Sequence, residues 1–439
     1  MHNLAIALHL EHYVVSGSDD EIFEPSASRL AAHGLLPASW GWFPEKISTD
    51  LDAVILGMHA RADNPELIRA QELNLRIFSY PEYLYEQSKT KKRVVIGGSH
   101  GKTTITSMIL HVMNQAGLTV DYMVGAQLDG FDVMVRLSDD AEWIVLEGDE
   151  YLTSPLDRRP KFLHYKPHIA LVSGIGWDHI NVFPTFETYL DQFRLFIQAI
   201  EPGGCLIYNT EDQEVVKLVD EADCEKLPYK THPFVVEDEK TSIITEDGKP
   251  IAVEVFGVHN MSNLAAAVAV CVQMGFKKDL VLQALASFKG ASKRLECLGQ
   301  SPEAALYRDF AHAPSKLKAS AAALRLKYPK HRLILCFELH TFSSLSASFI
   351  NQYANSLSVA DHAVVFYDHH AVELKKLDLM HPDVIRKAFA QADLEVVSEP
   401  DALLNLLQSL IEFPVVIALM SSGSFRGLRI EELRIKMGL

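Results

Sequence analysis

Residues 94–110 read VVIGGSHGKTTITSMIL: an apolar run, a glycine turn, then Gly-Lys-Thr-Thr at the start of a helical stretch. No other segment constrains the fold as much, because that order is a buried strand running into a tight loop and out along a helix. The helix aims its free N–H groups at whatever the loop encloses, which makes the loop a phosphate cradle. Gly98, Ser99, His100 and Gly101 line it, followed by Lys102, Thr103 and Thr104. Lys102 supplies positive charge, and a threonine hydroxyl can reach Mg²⁺. The general GxxxxGK[ST] spacing asks for glycine at position 96, where this chain has Ile96. A solvated turn that happens to contain Gly-Lys is the competing reading, and the strand–loop–helix order argues against it.

The chain on either side is α/β. At 439 residues it is long enough for roughly three domains. MHNLAIALHLEH (1–12) has apolar pairs at helical spacing and reads as a helix, and YVVSGSDD (13–20) as a strand ending in a polar turn. LDAVILGMHA and LRIFSYPEY read as strands, with helical SASRLAAHG and NPELIRAQEL between them. This βα rhythm implies a parallel sheet, yet it enters on a helix, with no strand or glycine turn ahead of it. The expectation is a domain whose first strand and Gly-rich turn precede Met1. YEQSKTKKR (85–93) reads as a linker. Beyond it, WIVLEG, IALVSG, AALYRDF, RLILCFEL, HAVVFYD and PVVIALM read as strands, and 185–200 and 260–275 as helices.

Composition excludes several partners. With 41 basic and 57 acidic residues the formal charge is −16, which disfavours nucleic acid and anionic membrane surfaces. The five cysteines are scattered and form no CxxC pair, so reduced thiols in a cytoplasmic protein are expected. No run has transmembrane length and no signal-peptide pattern opens the chain.

Acidic and amide residues follow the loop at telling places. VLEGDEYLTSP sets Glu147, Asp149 and Glu150 at the end of an apolar strand, where oxygen ligands can hold Mg²⁺ beside a phosphate loop. GIGWDHINVFP sets Asp178 and His179 after the next strand. FGVHNMSN opens a helix with Asn260 and Asn263, whose carboxamides can cap the helix or bond an adenine edge.

Taken together, the loop pattern G-[ST]-x-G-K-T-[TS], EGDEY, WDHINVFP, GVHNMSN, FKGASKRLE and YRDFAHAP resemble the Mur ligases, ATP-dependent amide-bond synthetases of peptidoglycan. The resemblance implies a three-domain α/β architecture. An N-terminal Rossmann-like UDP-sugar domain (1–90) would be expected to lack its first strand here. A central P-loop ATPase domain (91–297) and a C-terminal Rossmann-like amine-substrate domain (298–439) follow. It implies catalytic roles for Lys102, Glu150, His179 and Arg294, and Mg²⁺ held by Thr103, Glu150 and His179. ATP would contact Gly98 to Thr104, Asn260, Asn263, Arg294 and Asp309. Ser18, Asp19, Asn64, Arg159, His312 and His340 would line the substrate sites.

Departures from the family pattern are plain. Asn181 stands where many members have Asp, Arg194 lies near a lysine that many relatives carbamylate, Arg308 replaces the first acid of D-D-[YF]-[AG]-H-x-P, and Ala313 replaces a second His. Leu339 stands for a usual Pro, and Arg426 at a glycine position. The first segment resembles the branch that acts on UDP-N-acetylmuramate. Within it, DEYLTSPLDRRPKFLHYKP resembles members that attach an L-alanyl-γ-D-glutamyl-meso-diaminopimelate peptide rather than L-alanine. Joining of free L-alanine and a non-catalytic UDP-sugar or nucleotide binder remain the alternatives. A monomer or homodimer is expected.

Overall fold

The structure, a computed structural model, describes residues 1–128, 130–177, 182–391 and 393–439. It divides into two compact units.

The first unit holds residues 1–177, 182–230 and 266–278. Its seven-stranded sheet runs in spatial order Val135–Arg136, Asp121–Met123, Trp143–Glu147, Lys92–Gly97, Ile169–Val172, Cys205–Asn209, Glu225–Tyr229. All neighbours are parallel except the first pair. Val94, Val95 and Ile96 have no exposed surface, as expected for a central parallel strand covered on both faces. The opening helix is His2–Leu10, and Leu4, Ala7 and Leu8 pack into the sheet's core beside Tyr83, Leu84 and Met123. A two-stranded parallel sheet pairs Val54–Leu56 with Ile77–Ser79.

Two expectations fail in this unit. YVVSGSDD forms no strand: Val14 is fully exposed, and the stretch pairs as a single bridge between Asp19 and Gly41. Two adjacent valines carry β propensity, but without a neighbouring strand to bond them propensity alone does not make one. The segment 85–93 is no solvated linker either. It starts inside the helix Tyr80–Gln87, which a reciprocal Ser79–Glu82 capping box opens. It ends in the central strand, with Lys91 and Arg93 buried. Lys91 pairs with Asp121 and the Ser138 carbonyl. Arg93 donates from Nε to the carbonyls of Tyr165 and Lys166, each at 2.9 Å, from Nη1 to Ser88 at 2.9 Å, and from Nη2 to Glu201 at 3.0 Å. A basic run is legible in sequence; that its charges turn inward to close three chain segments is not.

The second unit holds residues 231–265 and 279–439. Its six-stranded sheet has the order Glu296–Gln300, Ala304–Asp309, Val415–Met420, Arg332–Glu338, His362–Phe366, Glu395–Val397, with only the first pair antiparallel. Val415–Met420 lies at the middle and is buried at every residue, which is why PVVIALM reads as an unbroken apolar run. The two edge strands and a three-stranded antiparallel sheet (Phe234–Glu237, Lys240–Ile244, Pro250–Val253) escaped the sequence reading. Their polar, half-exposed faces leave little pattern. Among the described residues no helix is long and apolar enough to cross a membrane.

Arg93→Met would orphan the carbonyls of Ser88, Lys89, Lys91, Tyr165 and Lys166 and the Glu201 carboxylate. It is expected to lower the first thermal unfolding transition by about 6–10 °C, the effect of breaking a buried charged network, read by differential scanning calorimetry.

Candidate active site

The site in the first unit begins with register. Ile96 pairs with Glu147 on one side and with Leu171 on the other, so the glycine loop and the acidic run leave the same sheet edge together. Ile96 belongs to the ladder and to the core, which explains why this loop starts later than the general spacing. Gly98 lies at φ +121°, and a Cβ there would sit 2.2 Å from the Ser173 Oγ. Gly101, at φ +76°, caps the helix Lys102–Gln115 in the left-handed region. Only glycine fits both demands without strain.

The side chains then close on one another. Lys102 Nζ donates to the Gly98 carbonyl at 2.7 Å and to Glu150 Oε2 at 2.5 Å. Burial works against the ammonium, but Glu150, Asp149 and Glu147 raise its pKa above the usual lysine value, so it stays charged. Thr103 Oγ1 donates to Glu147 Oε1 at 2.8 Å, and the Gly125 N–H to Glu147 Oε2 at 2.8 Å. Tyr189, fully buried on the helix Phe186–Gln198, donates to Glu150 Oε1 at 3.0 Å and bonds Ser99 Oγ at 2.6 Å. Ser99 Oγ in turn accepts the Gly176 N–H at 2.9 Å. His100 lies against Gly176, where a Cβ would meet its ring at 2.8 Å. Thr104 is buried.

Thr103 Oγ1 and the carboxylates of Glu147 and Glu150 are hard oxygen donors converging beside a helix N-terminus, and that set suits Mg²⁺. Glu147 is one of the three acids the sequence offers as Mg²⁺ ligands, though the family resemblance singles out Glu150; Tyr189 is not among the site residues read from the sequence. Glu147 carried a signal as the acid ending the apolar strand. Tyr189 carried none, because a tyrosine in an amphipathic helix reads as core. His179, with Asp178 and Asn181, lies outside the described residues.

The stretch after Glu150 is a bonded block. Lys161 pairs with Asp149 at 2.5 Å. Arg159 grips Asp157 at 2.7 Å and reaches Glu82 at 3.4 Å. His164 bonds Thr153 at 3.0 Å and faces Asp157 at 3.4 Å. Arg159 is thus ion-paired within the protein, with its side chain 60% exposed. Asn64 caps the helix Pro65–Glu72 by accepting the Glu66 and Leu67 N–H groups at 2.9 and 3.1 Å. Ser18 is half-buried and Asp19 exposed.

In the second unit Asn260 donates to the Phe256 carbonyl at 3.0 Å, and Asn263 to Asn260 at 3.4 Å. Asp309 is buried and accepts from Leu295 N–H at 3.2 Å, Phe310 N–H at 2.8 Å and the Ser320 hydroxyl. Arg294 stacks on Phe310 with Cζ 4.8 Å from the ring centre. His312 Nδ1 lies 2.9 Å from the Phe310 carbonyl. His340 Nδ1 lies 3.6 Å from the buried Glu338.

Comparison with known proteins places both parts of the chain. The Mur ligase middle domain matches residues 96–271, and the Mur ligase glutamate ligase domain matches residues 293–423. A UDP-N-acetylmuramate–L-alanine ligase of Caldicellulosiruptor saccharolyticus is 30% identical over 95% of this chain and 93% of its own. The UDP-N-acetylmuramate–L-alanyl-gamma-D-glutamyl-meso-2,6-diaminoheptandioate ligase of Haemophilus influenzae is 27% identical over 97% and 94%. The crystal structure of the UDP-N-acetylmuramate-alanine ligase of Thermotoga maritima superposes with a TM-score of 0.71 at 20% identity, covering 98% of this chain and 96% of that one. The fold is thus the three-domain α/β architecture of these enzymes.

Tyr189→Phe deletes the hydroxyl joining Ser99 to Glu150. It is expected to raise the Mg²⁺ concentration for half-maximal ATP turnover about tenfold, the usual effect of losing an outer-shell partner, with little change in melting temperature. A second expectation concerns His164. Burial first, then Arg159, lower its pKa against the pull of Asp157 and Glu82, so the fold keeps it neutral. Its contribution is complete above the unfolded value near pH ~6.5 and is lost as pH falls through the lowered one. Between pH 7 and 5 the wild type should lose about 2 °C more in melting temperature than His164→Gln.

Proposed function

The chain belongs to the Mur ligase family of ATP-dependent ligases, and we propose that it joins an L-alanyl peptide to the lactyl carboxylate of UDP-N-acetylmuramate. The peptide meant is L-alanyl-γ-D-glutamyl-meso-diaminopimelate. Residues 1–90 are assigned to the UDP-sugar, 91–297 to ATP and 298–439 to the amine.

A carboxylate is a poor electrophile, and transfer of the γ-phosphoryl group to it creates a leaving group. The peptide amine then forms the amide bond and releases phosphate. The chain's part is positioning and electrostatics. The helix Lys102–Gln115 offers its first N–H groups to phosphate oxygens, and Lys102 offers its ammonium. Thr103, Glu147, Glu150 and His179 would hold Mg²⁺, which supplies charge neutralisation at the phosphates when bound. Ser99 and Tyr189 keep Glu150 in line with the loop. Arg294 is assigned to a phosphate oxygen, for which its fork of donors is suited.

The observation that carries the choice of amine substrate is the bonded block from Asp149 to His164. It is built from the residues shared with the peptide-attaching pattern, and it follows directly on Glu150. Joining of free L-alanine is the second reading, favoured by the 30% identity to an enzyme of that name.

The test is phosphate release with Mg-ATP and UDP-N-acetylmuramate, with either the tripeptide or L-alanine, and products weighed by mass spectrometry. Turnover with the tripeptide and not with L-alanine is expected. Turnover with L-alanine alone would sink the peptide reading and keep the ligase. With neither amine active, a nucleotide-binding role without turnover would replace both.

A further inference from the structure

Arg294 sits in an unusual piece of backbone. Lys293 and Leu295, on either side of it, lie in the left-handed region at φ +58° and +45°. Neither is glycine, and a side chain at such a φ is strained unless its surroundings hold it. Two carboxylates do so. Glu296 Oε2 accepts the Lys293 N–H at 2.9 Å, and Asp309 Oδ1 accepts the Leu295 N–H at 3.2 Å. The Arg294 N–H closes the turn onto the Ala291 carbonyl at 3.0 Å. The turn presents the guanidinium against Phe310, with Nε buried and without a hydrogen-bond partner among the described residues.

Glu296 is itself oriented. It stands directly across the antiparallel ladder from Arg308. Arg308 Nη2 donates to both of its oxygens, at 3.1 and 2.9 Å, and Nε adds a contact at 3.3 Å. Arg308 is the residue that replaces the first acid of the family pattern. An acid there would face Glu296 with like charge; the arginine turns the position into a fork that fixes the carboxylate.

We propose that Arg308 and Glu296 are positioning residues for the ligase reaction. As a pair they lock the left-handed turn that presents Arg294, the residue assigned above to a phosphate oxygen. The inference rests on the reading of Arg294 as a phosphate-binding residue. The pair is about one-third exposed (35% and 33%), so the expected effect is a modest one.

The readout is the dissociation constant of a non-hydrolysable ATP analogue with Mg²⁺, by isothermal titration calorimetry, which does not depend on the amine substrate. Glu296→Gln and Arg308→Gln should each weaken binding about fivefold, as expected for a partly exposed ion pair, with near-wild-type circular dichroism. Adding Lys293→Gly to either variant should restore affinity to within about twofold, because glycine holds a positive φ without help. A structural or substrate-contacting role for Glu296 would not be rescued by a glycine three residues away. Arg294→Ala is the control. If it weakens binding while Glu296→Gln does not, or if Lys293→Gly fails to rescue, the positioning role is overturned and Arg294 keeps its place. If Arg294→Ala itself binds normally, the phosphate reading of Arg294 falls, and this inference with it.

Discussion

The pairing of Ile96 with Glu147 is the constraint on which the site in the first unit depends. Two adjacent parallel strands must end at the same edge, so whatever follows each of them in sequence is brought together in space. One strand is followed by the glycine loop and Lys102, the other by Asp149 and Glu150. The Lys102–Glu150 contact follows from the register rather than from either segment alone. It also explains why so much charge is tolerated at low exposure. One ammonium lies among three carboxylates, and the carboxylate oxygens are further satisfied by Thr103, Gly125, Tyr189 and Lys161. A partly satisfied cluster of this kind would be unstable; a fully bonded one is rigid.

That dependence on register marks what was legible in the sequence. The loop, the acidic run and most strands could be read, because a strand–turn–helix and an apolar run are local patterns. YVVSGSDD looked like a strand because local propensity says so, and nothing local reveals that no partner strand lies beside it. YEQSKTKKR reads as a linker because a polar, basic run usually is one, yet its Lys91 and Arg93 are buried. Their acceptors are Asp121, Glu201 and carbonyls 72 and 73 residues away in Tyr165 and Lys166. Tyr189 could not be singled out, since its hydroxyl matters only once its helix is laid over the loop. Asn64 shows the opposite case. An Asn directly before Pro-Glu-Leu is a helix cap by local rule, and capping is what its carboxamide does.

Several departures from the family pattern also have structural partners. Ile96 fills the sheet. Ala313 is the N-cap residue of the helix Pro314–Lys327, in extended backbone ahead of a proline at N1. Arg194, near the position of a lysine in many relatives, is tied to Glu187, Asp191 and Glu221 at 2.6, 2.6 and 3.2 Å. Two of the carboxylates lie on its own helix and the third in the turn after the helix Gln213–Val219, so the substitution is built into local packing.

The turn at Arg294 is not the only one of its kind in the second unit. Asp309 and Glu338 end the two strands that flank Val415–Met420. Asp309 accepts the N–H of Leu295, which lies at φ +45° beside Arg294. Glu338 accepts the N–H of Phe425 at 2.9 Å; Phe425 lies at φ +50° beside Arg426, itself at +52°. Burial raises the Glu338 pKa, but His340, the Ser421 hydroxyl and the Phe425 N–H lower it further, leaving it an anion. In both places a buried carboxylate at the C-terminal end of a strand fixes a left-handed residue next to an arginine. The difference lies in where the arginine goes. Arg426 is drawn to Asp368 at 3.6 Å and Glu399 at 3.4 Å, whereas Arg294 stacks on a ring and leaves Nε unbonded. The same backbone device thus serves an arginine held by the protein's own acids and an arginine whose Nε has no hydrogen-bond partner among the described residues.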